Sequence, residues 1–365
     1  MIAISGVPTS RAATLVISDD AVWRDQFYNG NFKKERAAVV LRLAQSWFRF
    51  GSLEILTFSN EIILLRQLVD FIIKHHFSDI DVTDSSRYLQ LFSTVVDKTA
   101  YLMAKWQSLG FTHGVCNTDN FSILSITIDY GPFGFMDEYN PRFVPNTSDD
   151  ESRYSYEKQP DVAGFNLNKL RIALLPLLDK HQENTIQLIL NGYQDLYKQH
   201  FMALFRQKLG LQGSQLVDEE IVAYLLHMME ETKADFTMTF HNLADWPSHN
   251  IANNVVDSSL WALKKVAQSF HFDHWRNLML SRIRAGAQSD DARRQHMKAV
   301  NPRYILRNWI AESAIRETEA GNTEYLKLVQ SILKNPFVKH PEAERLGFAR
   351  SPPDWSSSIR VSCSS

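Results

Sequence analysis

Hydrophobic and polar positions recur in two rhythms along the chain, and the change of rhythm divides it. Near the start, residues 12–18 (AATLVIS) form an apolar, β-branched run, followed by a polar segment ending in the turn-like Tyr28-Asn29-Gly30-Asn31, which predicts sheet. From Ser59 onward the rhythm is helical. Ile62, Leu65, Val69 and Ile72, joined by Leu64, Leu68 and Phe71, make a wide apolar stripe that runs through Phe77, with Ser59 placed as its N-cap. A second helix is predicted over residues 85–109. Its apolar positions Tyr88, Phe92, Val95, Thr99, Leu102 and Trp106 recur at alternating steps of four and three, and Gly110 stands where a helix would stop. Further helices are predicted at 166–180 with a kink at Pro176, at 185–209, 218–232, 257–270, 302–320 and 323–334. The fifth of these takes Asn301 as cap and Pro302 as first helical residue. Residues 138–165 show no sustained period and predict a long loop, and residues 351–365 are a Pro- and Ser-rich tail. The pattern predicts an α+β, mainly helical fold. Its divisions are residues 1–58 with the sheet, 59–350 with the helices, and the tail 351–365.

The richest chemistry falls at the junction, in residues 110–137, GFTHGVCNTDNFSILSITIDYGPFGFMD. A first loop carries His113, Gly114 and Asp119-Asn120, an apolar β-branched stretch over 122–128 predicts a short buried strand, and a second loop opens with Asp129-Tyr130-Gly131. A strand rises about 3.3 Å per residue, so Asn120 and Asp129 meet only if the chain folds back on itself. In phosphotransfer enzymes of the protein-kinase type an Asp of such a loop accepts a proton, while an Asn and a later Asp-x-Gly aspartate hold magnesium. Mg²⁺ takes oxygen ligands and leaves positions to water and phosphate, so one Asn and one Asp suffice from the protein. By pattern alone, nucleotide–metal chemistry and a structural turn cluster both remain open.

Other residues are weighed against that centre. Arg42 lies among apolar neighbours in AAVVLRLA, and Arg49 lies between two phenylalanines in SWFRFG. Each either snorkels to solvent along its aliphatic stem or joins an anion clamp, since guanidinium forks match phosphate oxygens. His113 reads as a locally bonded turn or core residue, and His271 and His274 lack a third ligand nearby. Arg293-Arg294-Gln295-His296 beside Asp290-Asp291 reads as a solvated face.

Composition narrows the classes. Thirty-nine basic against forty-one acidic side chains give a net charge of −2, too balanced for a protein devoted to the nucleic-acid backbone. Hydrophobic residues make up 44% and charged ones 22%, a globular balance, and no apolar run reaches the ~18 residues that span a bilayer. Two cysteines make no disulfide framework.

The motifs resemble the selenoprotein O (SelO) family of protein adenylyltransferases. The resemblance begins at GVPTSRA (6–12), continues through VLRLAQSWFRFGSLE and is closest across HGVCNTDNFSILSITIDYGPFGFMDEYNPRF. It persists in SDDESRYSYEKQP, FNLNKLRIALLPLL, VNPRYILRNW, PPDW and the terminal SCSS. It implies a protein-kinase-like fold that binds ATP in a flipped orientation, so that AMP passes to a protein Ser, Thr or Tyr hydroxyl. It implies Asp119 as proton acceptor, Asn120 and Asp129 as ligands of Mg²⁺ (or Mn²⁺), and Arg42, Arg49 and Asp129 as the residues that meet ATP. ATP and hydroxyl-bearing proteins are then the expected partners, with no nucleic acid and no membrane span.

Departures from the family pattern give further expectations. Members carry, ahead of the GVPTSRA region, most of a small lobe with a strand lysine and a helix glutamate, so the chain reads as an N-terminally shortened member with an incomplete small lobe. That reading predicts weak or absent transfer and keeps a catalytically inactive pseudokinase-like binding module as the alternative; a conventional kinase moving the γ-phosphoryl group is the third. Cys363 stands where members carry a tail cysteine or selenocysteine of a redox pair, but Pro145 stands at the usual partner position. Cys116, within the catalytic loop, is the other cysteine, and two free thiols are expected. Eukaryotic members are mitochondrial; no targeting segment is visible in this chain.

Overall fold

The computed structural model describes residues 6–27 and 29–362. Two strands, β1 (Arg11–Arg24) and β2 (Lys33–Leu43), pair antiparallel, with register shifts between Ala12 and Thr14 and between Ile17 and Ala21. The sheet predicted over 12–18 is thus present and extends further at both ends. Its apolar side chains stay largely uncovered: Val16 is 62% and Val39 70% exposed.

Helix α1 (Phe50–Phe58) follows, burying Phe50 and Leu53 against α4. It was not foreseen, and it changes the role of Ser59, which closes α1 by donating its N–H to the Ile55 carbonyl at 2.9 Å. The next helix, α2, starts at Ile62 and runs to His76. Helix α3 (Arg87–Leu109) matches its prediction, with Tyr88, Phe92, Val95, Thr99, Leu102 and Trp106 all buried. Gly110 ends it in the left-handed conformation at φ 66°, the glycine-favoured way to close a helix.

Two short strands, β3 (Phe111–Thr112) and β4 (Gly134–Phe135), pair antiparallel and bracket the candidate loops. The helices α4 (Gln159–Leu174), α5 (Gln182–Asn191), α6 (Tyr193–Leu209) and α7 (Val217–Thr232) come next. The single helix expected over 185–209 is therefore two, parted at Gly192. Helix α4 begins before the predicted residue 166, inside the expected loop, and ends in a 3-10 turn at the Leu175-Pro176-Leu177 position read as a kink. Helix α6 packs along α3, and α2, α3 and α4 close the first core around Phe92, Met103 and Leu170.

The remaining chain adds α8 (Phe236–Asp245), α9 (Ser248–Ala252), α10 (Trp261–Val266), α11 (Phe272–Arg284), α12 (Asp290–Val300), α13 (Asn308–Glu319), α14 (Glu324–Lys334) and α15 (Pro341–Arg345). Two reasons account for most differences here. Helix α8 is buried from Phe236 to Ala244 with its polar Thr237, Thr239, His241 and Asn242 included, and its Phe-Thr-Met-Thr-Phe opening alternates as a strand would. Asn301 is not a cap for a helix at Pro302: it closes α12, and its buried Nδ2 donates to the Lys208 carbonyl at 2.8 Å, so α13 starts only at Asn308. Arg293 is also no solvated residue. It is 3% exposed and donates to Asp290 and to the Trp246 carbonyl at 3.1 Å, inside the contact of α12 with α8.

Candidate active site

Residues 110–137 leave α3 and return beside it. Phe111 pairs with Phe135 and Thr112 with Gly134, and the Met136 N–H donates to the Gly110 carbonyl at 2.9 Å, so the two ends meet as the two-loop reading required. The stretch between is not the strand expected over 122–128. It is a tight turn in which Phe121 and Thr127 are antiparallel bridge partners and Ser125 takes φ 52°. Polar side chains there are satisfied inward: Ser125 Oγ faces Thr99 Oγ1 at 3.0 Å and Trp106 Nε1–H donates to Thr127 Oγ1 at 2.9 Å. The fold-back comes from the turn rather than from loops alone.

Two earlier segments, residues 48–50 and 8–10, grip this turn through their backbones. Phe50 N–H donates to the Phe121 carbonyl and Ile123 N–H to the Phe48 carbonyl, each at 2.9 Å, which makes Arg49 the bridge partner of Ser122. On the other side Thr9 bridges Thr127 in parallel, and the Tyr130 hydroxyl bonds Thr9 Oγ1. His113 supports the turn from below. It is buried and stacked on Trp106 at 5.4 Å, and burial lowers its proton affinity, so the ring is neutral. Its Nε2–H donates to the Ile128 carbonyl at 2.8 Å, which leaves Nδ1 to face the Val115 N–H at 3.4 Å. The local, structural reading of His113 holds, and through Ile128 it fixes the residue just before Asp129.

Asp119 and Asn120 share a single 3-10 turn, Thr118–Asn120. Asn120 is buried and its Nδ2 donates to the Val115 carbonyl at 3.0 Å, which orients Oδ1 away from that bond. Asp119 is exposed and lies against the first turn of α1. A Cβ built on Gly51 would sit 2.0 Å from Asp119 Oδ1, so only glycine there leaves the carboxylate its place. Asp119 also lines a groove of about 540 Å³ with Glu54, Ile55, Phe58, Lys169 and Ile172.

Asp129 adopts φ 56°, a left-handed backbone uncommon for a residue with a side chain. Its Oδ1 lies 3.7 Å from Arg42 Nη1, whose guanidinium also sits 5.6 Å from the Trp47 ring centroid. Arg42 is thus brought to the second loop. Arg49 is brought beside the first by its backbone, and among the described residues its guanidinium has no ion pair with Asp119 or Asp129. The two loops touch at Gly114 (φ 84°), where a Cβ would lie 2.5 Å from the Pro132 carbonyl oxygen.

Several supports were not legible as site residues. Arg307 is fully buried and bonds Asp137, at the end of the second loop, and Asp235, the N-cap of α8, with Nη1 to Asp235 Oδ2 at 2.6 Å. Burial opposes its charge, and Asp235 and Asp137 more than restore it. Gln159 accepts from the His113 N–H at 2.9 Å and donates to the Phe111 carbonyl at 2.9 Å. The sequence signal for both was their place in the quoted motifs VNPRYILRNW and SDDESRYSYEKQP. Cys116 is a buried free thiol whose pKa burial pushes far up, so it is inert. Cys363 lies outside the described residues, and with it any redox pairing.

No group of three His, Cys, Asp or Glu side chains suited to a metal is found among the described residues. The donors at hand are one amide oxygen, of Asn120, and one carboxylate, of Asp129. Both are hard oxygen donors of the kind Mg²⁺ or Mn²⁺ accepts when phosphate and water complete the shell. No helix among the described residues is long and apolar enough to cross a membrane.

A family model described as protein adenylyltransferase SelO matches residues 1–334. The chain is 39% identical over 360 residues to the protein nucleotidyltransferase YdiU of Enterobacter sp. (strain 638), covering 99% of this chain and 70% of that protein. Against the protein of the same name from Pseudomonas paraeruginosa the identity is 38% over 364 residues, covering 99% and 70%. Against that of Flavobacterium johnsoniae it is 36% over 365 residues, covering 98% and 69%.

Proposed function

The chain belongs to the SelO family of protein adenylyltransferases, a nucleotidyltransferase family, and from that premise we propose that it moves AMP from ATP to Ser, Thr or Tyr hydroxyls of proteins on a protein-kinase-like scaffold. The observation that carries this reading is the approach of Arg42 to Asp129, which joins the sheet to the second loop across the cleft. Both side chains are more than 40% exposed at 3.7 Å, a loose pair worth about 0–1 kcal/mol in its own right. Phosphate oxygens can displace it at little cost, so Arg42 is free to turn to a nucleotide.

In the proposed reaction the acceptor oxygen bonds to the α-phosphorus, the bond from that phosphorus to the bridging oxygen breaks, and pyrophosphate leaves. Asp119 takes the acceptor's proton; its exposed carboxylate at the head of the groove is where an incoming hydroxyl can reach it. Arg42 and Arg49 meet the charge that builds on the leaving oxygens. Asn120 Oδ1 and the Asp129 carboxylate would hold the divalent ion, with Asn120 kept in place by Val115 and Asp129 by the His113–Ile128 contact. When bound, Mg²⁺ or Mn²⁺ would neutralise phosphate charge and hold the triphosphate in line. Acceptor residues beside the modified hydroxyl would lie over Ile55, Phe58 and Ile172, which are 64%, 94% and 42% exposed.

Incubation with α-labelled and, separately, γ-labelled ATP and a mixed protein acceptor tests the reading. Label transferred only from the α position is expected. Label only from γ would make the protein a conventional kinase, and label from neither would make it a non-catalytic binding module.

A further inference from the structure

A pair of lysines lies away from the candidate active site, between α3, α6 and the turn that follows α14. Lys105 of α3 and Lys208 of α6 line one cleft of about 200 Å³, together with Gly6, Ser108, Gln207 and Phe337, and among the described residues no carboxylate lines it. Lys208 is only 5% exposed and lines this cleft. Among the described residues neither lysine has an acidic partner. The protein offers them aromatic faces instead: Lys208 Nζ is 4.2 Å from the Phe240 ring centroid and 5.7 Å from that of Phe236, and Lys105 Nζ is 5.7 Å from that of Tyr101.

Such a pair is not explained by packing. Two ammonium groups in one half-enclosed cleft repel each other, and each loses hydration that aromatic faces replace only in part. Burial, and then the neighbouring Lys105, push Lys208 down to about 7; burial also lowers Lys105. The backbone nonetheless holds Lys208 in place, since its carbonyl accepts the buried Asn301 amide at 2.8 Å. Buried charges are ordinarily paired, and the partner missing from the chain is an anion.

We propose that the cleft between Lys105 and Lys208 binds a small free oxyanion of the phosphate or sulfate class. The bound ion bridges the two ammonium groups and ties α3 to α6. Ser108 at the rim gives its hydroxyl hydrogen to the Lys105 carbonyl at 2.9 Å, so it offers the anion no donor and the two lysines supply the binding charge. The ion would also steady residues 6–10, since Gly6 abuts Lys105 Nζ and the Pro8 carbonyl and Ser10 N–H bond Thr127. The site stands apart from the nucleotide chemistry: it uses none of Arg42, Arg49, Asp119, Asn120 or Asp129.

The test uses the whole chain and sodium sulfate against sodium chloride at matched ionic strength. Sulfate is expected to raise the melting temperature saturably in the wild type and in Arg42→Ala/Arg49→Ala, and not in Lys208→Met. In the wild type it should also slow amine labelling of Lys105 and Lys208, read residue by residue by mass spectrometry, at least several-fold while exposed Lys198 is unaffected. That second readout decides the matter if Lys208→Met does not fold. Equal effects of chloride and sulfate, an adventitious ion only, would overturn the proposal. So would a sulfate effect kept in Lys208→Met and lost in Arg42→Ala/Arg49→Ala, which would place the ion with the nucleotide.

Discussion

Replacing Gly51 by alanine sets the proposed chemistry against stability in one residue. The new Cβ would stand 2.0 Å from Asp119 Oδ1, where ordinary contact begins near 3.4 Å, so about 1.4 Å of movement is required (3.4 − 2.0). The atom in the way is the end of a side chain, with Asp119 Cγ at 3.1 Å and Cα at 3.7 Å, so the carboxylate swings aside while the backbone stays. Alanine also favours a helix over glycine by up to about 1 kcal/mol, and Gly51 lies in the first turn of α1. The variant should therefore melt at or slightly above the wild-type temperature. A misplacement of roughly 1 Å at a reacting group costs on the order of 10²-fold in rate. The assay is single-turnover AMP incorporation from α-labelled ATP, with ATP affinity measured separately. The expected result is a transfer rate lowered about 10²-fold, with ATP affinity unchanged and the melting temperature at or slightly above that of the wild type. A folded Gly51→Ala protein that transfers at the wild-type rate would refute Asp119 as the proton acceptor in this position.

Arg307→Met should destabilise the fold by about 3 kcal/mol or more, since it leaves the buried Asp235 and the partly buried Asp137 without their partner; urea unfolding reads the loss. Arg42→Ala should raise the KM for ATP about tenfold or more while leaving the urea midpoint within experimental error, because the exposed pair with Asp129 adds little to stability. Glu344 gives a pH dependence: burial opposes its charge, but hydrogen bonds from Arg303 and Tyr304 outweigh that and hold the carboxyl at about 2. A carboxyl lowered on folding contributes stability above its ordinary value near 4.5 and loses it as pH falls toward 2, here about 1–2 kcal/mol after solvent screening. Thermal melts between pH 6 and 3 should show that loss in the wild type and a flatter profile in Glu344→Gln.

What the sequence disclosed follows from where each interaction partner sits. Helix α3 was legible because its six apolar positions face one core and Gly110 ends it locally. The meeting of the two loops was legible because Asp119-Asn120 and Asp129 are close along the chain and flank one apolar stretch. The form of that stretch was misread: β-branched residues suggested a strand, whereas Ser122, Ser125 and Thr127 are turn residues whose hydroxyls bond inward. Helix α8 was missed because it is short and its Phe-Thr-Met-Thr-Phe opening alternates apolar and polar residues as a strand does. Gly51 and Arg307 were beyond local reading. One is glycine because a carboxylate from residue 119 approaches it, and the other is charged because two aspartates from residues 137 and 235 converge on it.

The most direct test of the account is the mass of an acceptor protein after incubation with ATP and magnesium. The wild type should add an increment equal to one adenylate per modified hydroxyl, and Asp119→Asn and Asp129→Ala, folded to the same melting temperature, should add none. An increment equal to a phosphoryl group, or an adenylate added as readily by Asp129→Ala, would contradict the assignment of AMP transfer to these two loops.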